Sequence, residues 1–152
     1  MTQEEKDLLL RDISARLPYG VKAYVKNWSN FKTYEDVYEV KSAFPSLNEV
    51  HVQSETGSLD VLLGYYDYEF KPYLFPMSSI TDEQWKEITD IQIQESLKSL
   101  DSIGDSMYNP LFSTDDLKTI EWCYANHIDI HDFIPKGLAL DATGKNIYEW
   151  RS

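Results

Sequence analysis

Leu9, Ile13 and Leu17 recur at four-residue steps near the start of the chain, which lays one apolar stripe along a helix. Thr2 and Glu5 have the spacing of a capping box, which satisfies free N–H groups in a first helical turn. Pro18 stops this helix and Gly20 lets the chain turn. The apolar period then falls to two. In "GVKAYVKNW", Val21, Ala23 and Val25 face one way while Lys22, Tyr24 and Lys26 face the other, as in a half-buried strand. "TYEDVYEVKSAF" predicts a second strand with Tyr34, Tyr38 and Val40 inward and Pro45 at its end. "NEVHVQSETGSLDVLLGYY" predicts a hairpin: Val50 and Val52 alternate with His51 and Gln53, Gly57 supplies a turn position needing positive φ, and Leu59, Val61 and Leu63 resume the alternation.

"YDYEFKPYLFPMSSIT" is aromatic and carries Pro72 and Pro76. Proline cannot donate to a ladder, so the segment reads as an edge strand or an extended stretch laid over the body. Thr81 and Gln84 repeat the capping-box spacing and open a helix through "DEQWKEITDIQIQESLKSL". Its apolar positions form two stripes, Trp85, Ile88 and Ile91, then Ile93, Leu97 and Leu100, which predicts a bend or break near Asp90. "DSIGDSMYNPLF" reads as a loop. Ser113 or Thr114 then caps a last helix, "DDLKTIEWCYAN", with Leu117, Ile120 and Tyr124 at core spacing. The expected class is α+β in a single domain over 1–152: a small antiparallel sheet of about four strands, with helices at the N-terminus and in the C-terminal half.

Composition changes this picture mainly through charge. The 152 residues carry a formal net charge of −12, spread along the chain rather than gathered in a tail. Such a surface repels phosphate backbones, which disfavours direct nucleic-acid binding, and attracts a basic partner. Cys123 is the only cysteine, so no intrachain disulfide can form and a reducing compartment fits. The opening "MTQEEKDLLL" resembles neither a signal nor a transit peptide, and no apolar run reaches membrane-spanning length. The expected location is the cytoplasm.

The stretch "NHIDIHDFIPKGLALDA" looks most like chemistry, because His127, Asp129, His131 and Asp132 are interleaved in it. Two imidazoles and a carboxylate can bind zinc or iron, and a small metal-dependent hydrolase using His127–Asp132 is the rival functional reading. The paired-histidine motif needs both rings on one helix face. Here Asn126 is a favoured helix C-cap and Ile128 and Ile130 alternate with polar residues, so the segment reads as extended or turn-like. The two histidines would then lie about 13 Å apart at strand rise. The stretch is therefore expected to be the exit from the last helix into a short closing strand, with no catalytic residue, cofactor or metal assigned. Cys123, between Trp122 and Tyr124, reads as a small buried hydrophobe. No nucleophile elbow or phosphate-cradling glycine loop is present. The more unusual feature is aromatic: Tyr65, Tyr66, Tyr68, Phe70, Tyr73 and Phe75, with Glu69 among them. One reading is core plus edge protection. The functional reading is a partly exposed aromatic patch in an acidic rim, as on a protein-binding face.

Three stretches, "LLLRDISARLPYGVK", "KPYLFPMSSIT" and "IPKGLALDA", resemble a group of short, uncharacterised proteins of gut Bacteroidales genomes and their phages. The resemblance spans nearly the whole chain in the same order and is weakest over residues 86–112. It implies an intracellular bacterial or phage protein and supplies no catalytic residue. The functional expectation is a non-enzymatic acidic binding protein acting on a protein partner, such as a host or defence protein, through residues 65–75. DNA mimicry by the carboxylates is its stronger form, and a self-assembling accessory protein is a further alternative.

Overall fold

The computed structural model describes residues 1–29, 32–103 and 115–148. Helix α1 (Gln3–Arg16) opens on the expected capping box: Thr2 Oγ1 accepts from Glu5 N at 3.1 Å, and Glu5 Oε1 accepts from Thr2 N at 2.8 Å. A 3-10 turn over Leu17–Tyr19 follows, and Gly20 at φ 71° redirects the chain. The strands are β1 (Lys22–Ser29), β2 (Lys32–Phe44), β3 (Glu49–Ser54), β4 (Gly57–Leu62), β5 (Tyr68–Leu74) and β6 (Leu140–Asp141), with helices α2 (Asp82–Ile103) and α3 (Asp115–Ala125) between the last two. The class is α+β, as expected, but among the described residues one sheet holds six strands, not about four, in the order β4-β3-β2-β1-β5-β6.

The extra strands have a local explanation. β5 is not an edge: it pairs antiparallel with β1 and parallel with β6. Pro72 is tolerated because of register. Trp28 N donates to Asp67 O, so bonded pairs alternate from there and Pro72, opposite Ala23, falls in a non-bonded pair. Its missing N–H would have pointed away from β1. β6 begins opposite Tyr73, one residue later, and two residues leave no periodicity to read.

The sheet is rolled. β4 and β5 are separated by β3, β2 and β1, which in a flat sheet puts them about 19 Å apart. Only residues 63–67 join them, and these are folded into turns by Tyr65 N→Leu62 O and Tyr68 N→Tyr65 O bonds. β4 and β5 accordingly come into contact without pairing. The roll encloses Leu9, Leu10 and Ile13 of α1 against Val21, Ala23, Val25, Val40, Val50, Val52, Val61 and Phe70, all buried. A bulge between Val40 and Ser42 lets both Val40 and Ala43 meet this core.

Some expected positions lie elsewhere. Tyr34 has the inward parity but is 53 % exposed, because β2 there runs past the end of β3 and, among the described residues, has only β1 beside it. α2 opens on its Thr81–Gln84 box and runs unbroken through Asp90. Ile88 is buried and Ile91 packs beside it, whereas Trp85 and Ile93 are exposed. In α3, Leu117 and Ile120 are exposed and the buried side is Trp122 and Cys123, packed with Ile80, Ile88 and Ile128. The Ser113/Thr114 cap and most of the expected 101–112 loop lie outside the described residues, as do the side chains of Leu97 and Leu100. Among the described residues no helix is long and apolar enough to cross a membrane.

Candidate functional site

The helix exit at 126–132 is built as a Schellman motif. His127 N donates to Tyr124 O and Ile128 N to Cys123 O, which closes the last carbonyls of α3. The residue in the left-handed position is His127 at φ 60°, one beyond the expected cap, Asn126. Such a φ costs a non-glycine residue of order 1 kcal/mol. The His127 ring is buried and stacks on Tyr148, with centroids 3.8 Å apart and an interplanar angle of 11°. The chain then bridges to the residue just past the end of β5: Phe75 N donates to His127 O and Asp129 N to Phe75 O, both at 2.8 Å.

The four polar side chains singled out in this stretch are dispersed to separate tasks. Asp129 is buried, and its two carboxylate oxygens accept from Phe133 N and Ile134 N, each at 2.9 Å. His131 Nδ1 lies 2.9 Å from Asp12 Oδ2. Asp132 is exposed at φ 57°. Among the described residues, no three His, Cys, Asp or Glu side chains are grouped to hold a metal ion.

Sequence reasoning missed the charged knot beneath this exit. Arg16 and Asp12 are 0 % and 1 % exposed. Arg16 Nε donates to Asp12 Oδ1 at 2.5 Å, Nη2 to Asp12 Oδ2 at 3.1 Å, and Nη2 also to Ile128 O at 2.6 Å. The guanidinium lies 4.9 Å from the Tyr124 ring centroid, a cation–π distance. Nη1 is buried and has no hydrogen bond among the described residues. The signal was present: Asp12 and Arg16 stand three and seven residues after Leu9, in phase with the buried stripe. The knot ties α1 to the end of α3 and the segment after it. Cys123, in the same region, is 5 % exposed and burial pushes its thiol pKa up, which disfavours a reactive thiolate.

A second device closes the fork where β5 leaves β1. The next bonded pair after Tyr24–Lys71 would join Lys22 to Tyr73. The Tyr148 hydroxyl enters there instead: it accepts from Lys22 N at 2.8 Å and donates to Tyr73 O at 2.9 Å. Beside it, Phe75, Thr81, Gln84, His127 and Tyr148 help line a cavity of about 360 Å³.

The aromatic stretch does not form one face. Phe70 is 5 % and Tyr73 8 % exposed, so neither is available as a surface anchor. β5 turns Phe70 into the rolled core, and Tyr73 packs on the opposite face against Ala142 and Tyr148. Phe75 is partly buried, packing against both the Ile80–Trp122–Ile128 group and the Tyr73–Ala142–Tyr148 group. Tyr68 is partly buried at the rim of the core, and Glu69 pairs with Lys71 at 3.3 Å. Tyr65 and Tyr66, 44 % and 81 % exposed, remain on the surface with ring centroids 4.9 Å apart. These two rings, Tyr68 and Glu69 border a half-open cavity of about 330 Å³ at the β4–β5 seam, which Met1 and Leu138 also line. Gly64 (φ 79°) shapes this turn: a Cβ there would stand 2.5 Å from Lys6 Cε.

Comparison with protein-family models, with curated proteins and with solved structures finds no match to this chain.

Proposed function

We propose that this protein is a non-enzymatic binding protein that engages a basic protein partner through the seam between β4 and β5. The observation that carries the reading is the Tyr65–Tyr66 pair: two large rings left outside the core, one of them 81 % exposed, at the mouth of a cavity. Aromatic side chains anchored in or beside a pocket dominate interface energies. The net charge of −12 supplies the long-range attraction that steers a basic partner and repels nucleic acid. The resemblance to Bacteroidales and phage proteins suits an intracellular role on a host or defence protein. The test is affinity capture from such a host with wild-type protein and a Tyr65→Ala/Tyr66→Ala variant, followed by surface plasmon resonance on the captured partner. The double variant should dissociate at least tenfold faster. Glu69→Lys should mainly slow association, and added salt should slow it further as the Debye length shrinks from about 30 Å at 0.01 M to about 10 Å at 0.1 M. A partner retained equally by the double variant, with a salt-insensitive association rate, would refute the reading.

A further inference from the structure

β2 is thirteen residues long, but its partner β3 stops at Ser54, and the β2–β3 register ends at Glu39–Gln53. Among the described residues, β2 from Thr33 to Val37 is paired on one side only, with β1. The direction of its backbone groups follows from register. Val40 N donates to Val21 O, so Tyr38, Asp36 and Tyr34 turn their N–H and C=O groups toward β1, and Thr33, Glu35 and Val37 turn theirs outward. One of these outward groups is already engaged, because Val37 N donates to Asp36 Oδ1 at 2.8 Å. A strand N–H held by the preceding side chain is the mark of a ladder position without a strand. Alongside lies an open cleft of about 800 Å³ bordered by Asp36, Tyr38, Glu39, Gln53 and Glu55, with Lys22 and Lys41 also on its border and Lys41 paired with Glu39. It occupies the line that β3 would follow if it were longer.

We propose that this β2 edge, Thr33–Val37, is a strand-addition site for an extended segment of a partner protein with basic residues at alternating positions. An added strand would bond to Thr33 and Glu35 directly, and to Val37 once Asp36 swings away, giving the backbone pairing that sheet-edge recognition uses. Its charge follows from the side chains it must lie beside. Glu35 points to one face of β2 and Asp36 to the other, and both are exposed, so basic residues at alternating positions, which share one face of an added strand, meet a carboxylate whichever face they take. Cross-strand opposite charges stabilise and like charges destabilise. The same chemistry disfavours a second copy of this chain in the two registers centred on these carboxylates. An antiparallel β2–β2 pair centred on Glu35 sets Glu35 against Glu35, and one centred on Asp36 sets Asp36 against Asp36. Tyr34, 53 % exposed, offers an aromatic surface beside the pairing line. This cleft shares no bordering residue with the β4–β5 seam, so the inference does not rest on the function proposed above.

The experiment uses a fluorescein-labelled peptide of alternating lysine and valine, read by fluorescence anisotropy with the full-length protein. Two control peptides accompany it: one with glutamate replacing lysine, and one with the same side chains but N-methylated at alternate amides. The lysine peptide should bind saturably, and each control at least tenfold more weakly. Thr33→Pro removes one outward N–H without touching the β1 ladder. It should weaken the lysine peptide at least tenfold while leaving the far-ultraviolet circular dichroism and melting temperature near wild type. Glu35→Lys should weaken it similarly and improve the glutamate peptide, which covers the case in which the proline variant fails to fold. Equal binding of the N-methylated peptide would reduce the contact to charge alone and overturn strand addition. So would no saturable binding. A concentration-dependent dimer abolished by Thr33→Pro would assign the edge to a second copy and overturn the proposed occupant.

Discussion

Replacing Asp12 by Leu removes a carboxylate that accepts two hydrogen bonds from Arg16 and lies 2.9 Å from His131. Arg16 is then a fully buried guanidinium whose remaining hydrogen bond is to Ile128 O. Breaking a buried ion pair from one side costs about 3–5 kcal/mol, because the surviving charge keeps its desolvation penalty and loses its compensation. Against a typical domain stability of roughly 5–15 kcal/mol, that is about a fifth of the total at the least and most of it at the other extreme. Arg16→Met should cost less, since Asp12 retains His131 and methionine fills part of the arginine's volume. The double variant Asp12→Leu/Arg16→Met removes both charges of the pair and should recover to within about 1 kcal/mol of wild type, since exchanging a whole buried pair for well-packed apolar residues is often neutral or stabilising. The assay is urea denaturation of the four proteins. With a slope of about 2 kcal/mol per molar, Asp12→Leu should move the midpoint down by roughly 2 M, and the cycle should give a coupling energy of about 3 kcal/mol. Additive losses, or a single-variant cost below about 1 kcal/mol, would refute the view that the pair is held together by mutual burial.

Three further outcomes follow from local geometry. Thr81→Ala should lower stability by about 1 kcal/mol, the usual loss on removing an N-cap, and a midpoint identical to wild type in denaturant would count against that cap. The Tyr24 hydroxyl donates to Glu35 Oε2 at 2.6 Å, which pushes its pKa from 10.0 to about 12. A raised folded-state pKa contributes stability that is fully present below pH 10 and lost as pH rises through about 12, so Glu35→Gln should move one tyrosinate absorbance step back toward 10, and an unchanged titration would refute the bond. Cys123, buried with a raised thiol pKa, should react with a thiol reagent only on unfolding; stoichiometric labelling of native protein at neutral pH would contradict its burial.

The first half of the fold was legible because its signals are local. A capping box, a four-residue apolar step and two-residue alternation each need only a few neighbours, and Thr2, Leu9, Ile13, Val21–Val25, Val50 and Val52 all lie where those patterns put them. What could not be read depended on distant partners. Pro72 spoke against an interior strand, yet it is harmless in a non-bonded register position that only the β1 pairing defines. Tyr34 follows the inward alternation but has no β3 beside it. Leu117 and Ile120 keep helical spacing but lie on an exposed side of α3. At the candidate site, Phe70 and Tyr73 were indistinguishable from Tyr65 and Tyr66 by composition; the turn at Gly64 and the pairing of β5 separate exposed rings from core. Asp12 and Arg16 were in phase with the apolar stripe, and a charged pair on that phase is a signal that hydrophobic patterning alone passes over.

The Tyr148 hydroxyl at the β1–β5 fork gives the chain a long wait during its synthesis. Lys22 and Tyr148 are 126 residues apart, and at about 5–20 residues per second a ribosome makes them roughly 6–25 s apart. The ties from α1 to Ile128 and His131 span 112 and 119 residues, so the two ends of the fold mature together and late. Such non-local closure slows folding, because loop entropy is lost before the contacts form. Until then β5 has no hydroxyl at its fork and Arg16 has no carbonyl from Ile128. A chain stalled in that interval would expose strand edges and a helix whose apolar face has not been sealed, and would be the form that chaperones and proteases meet first.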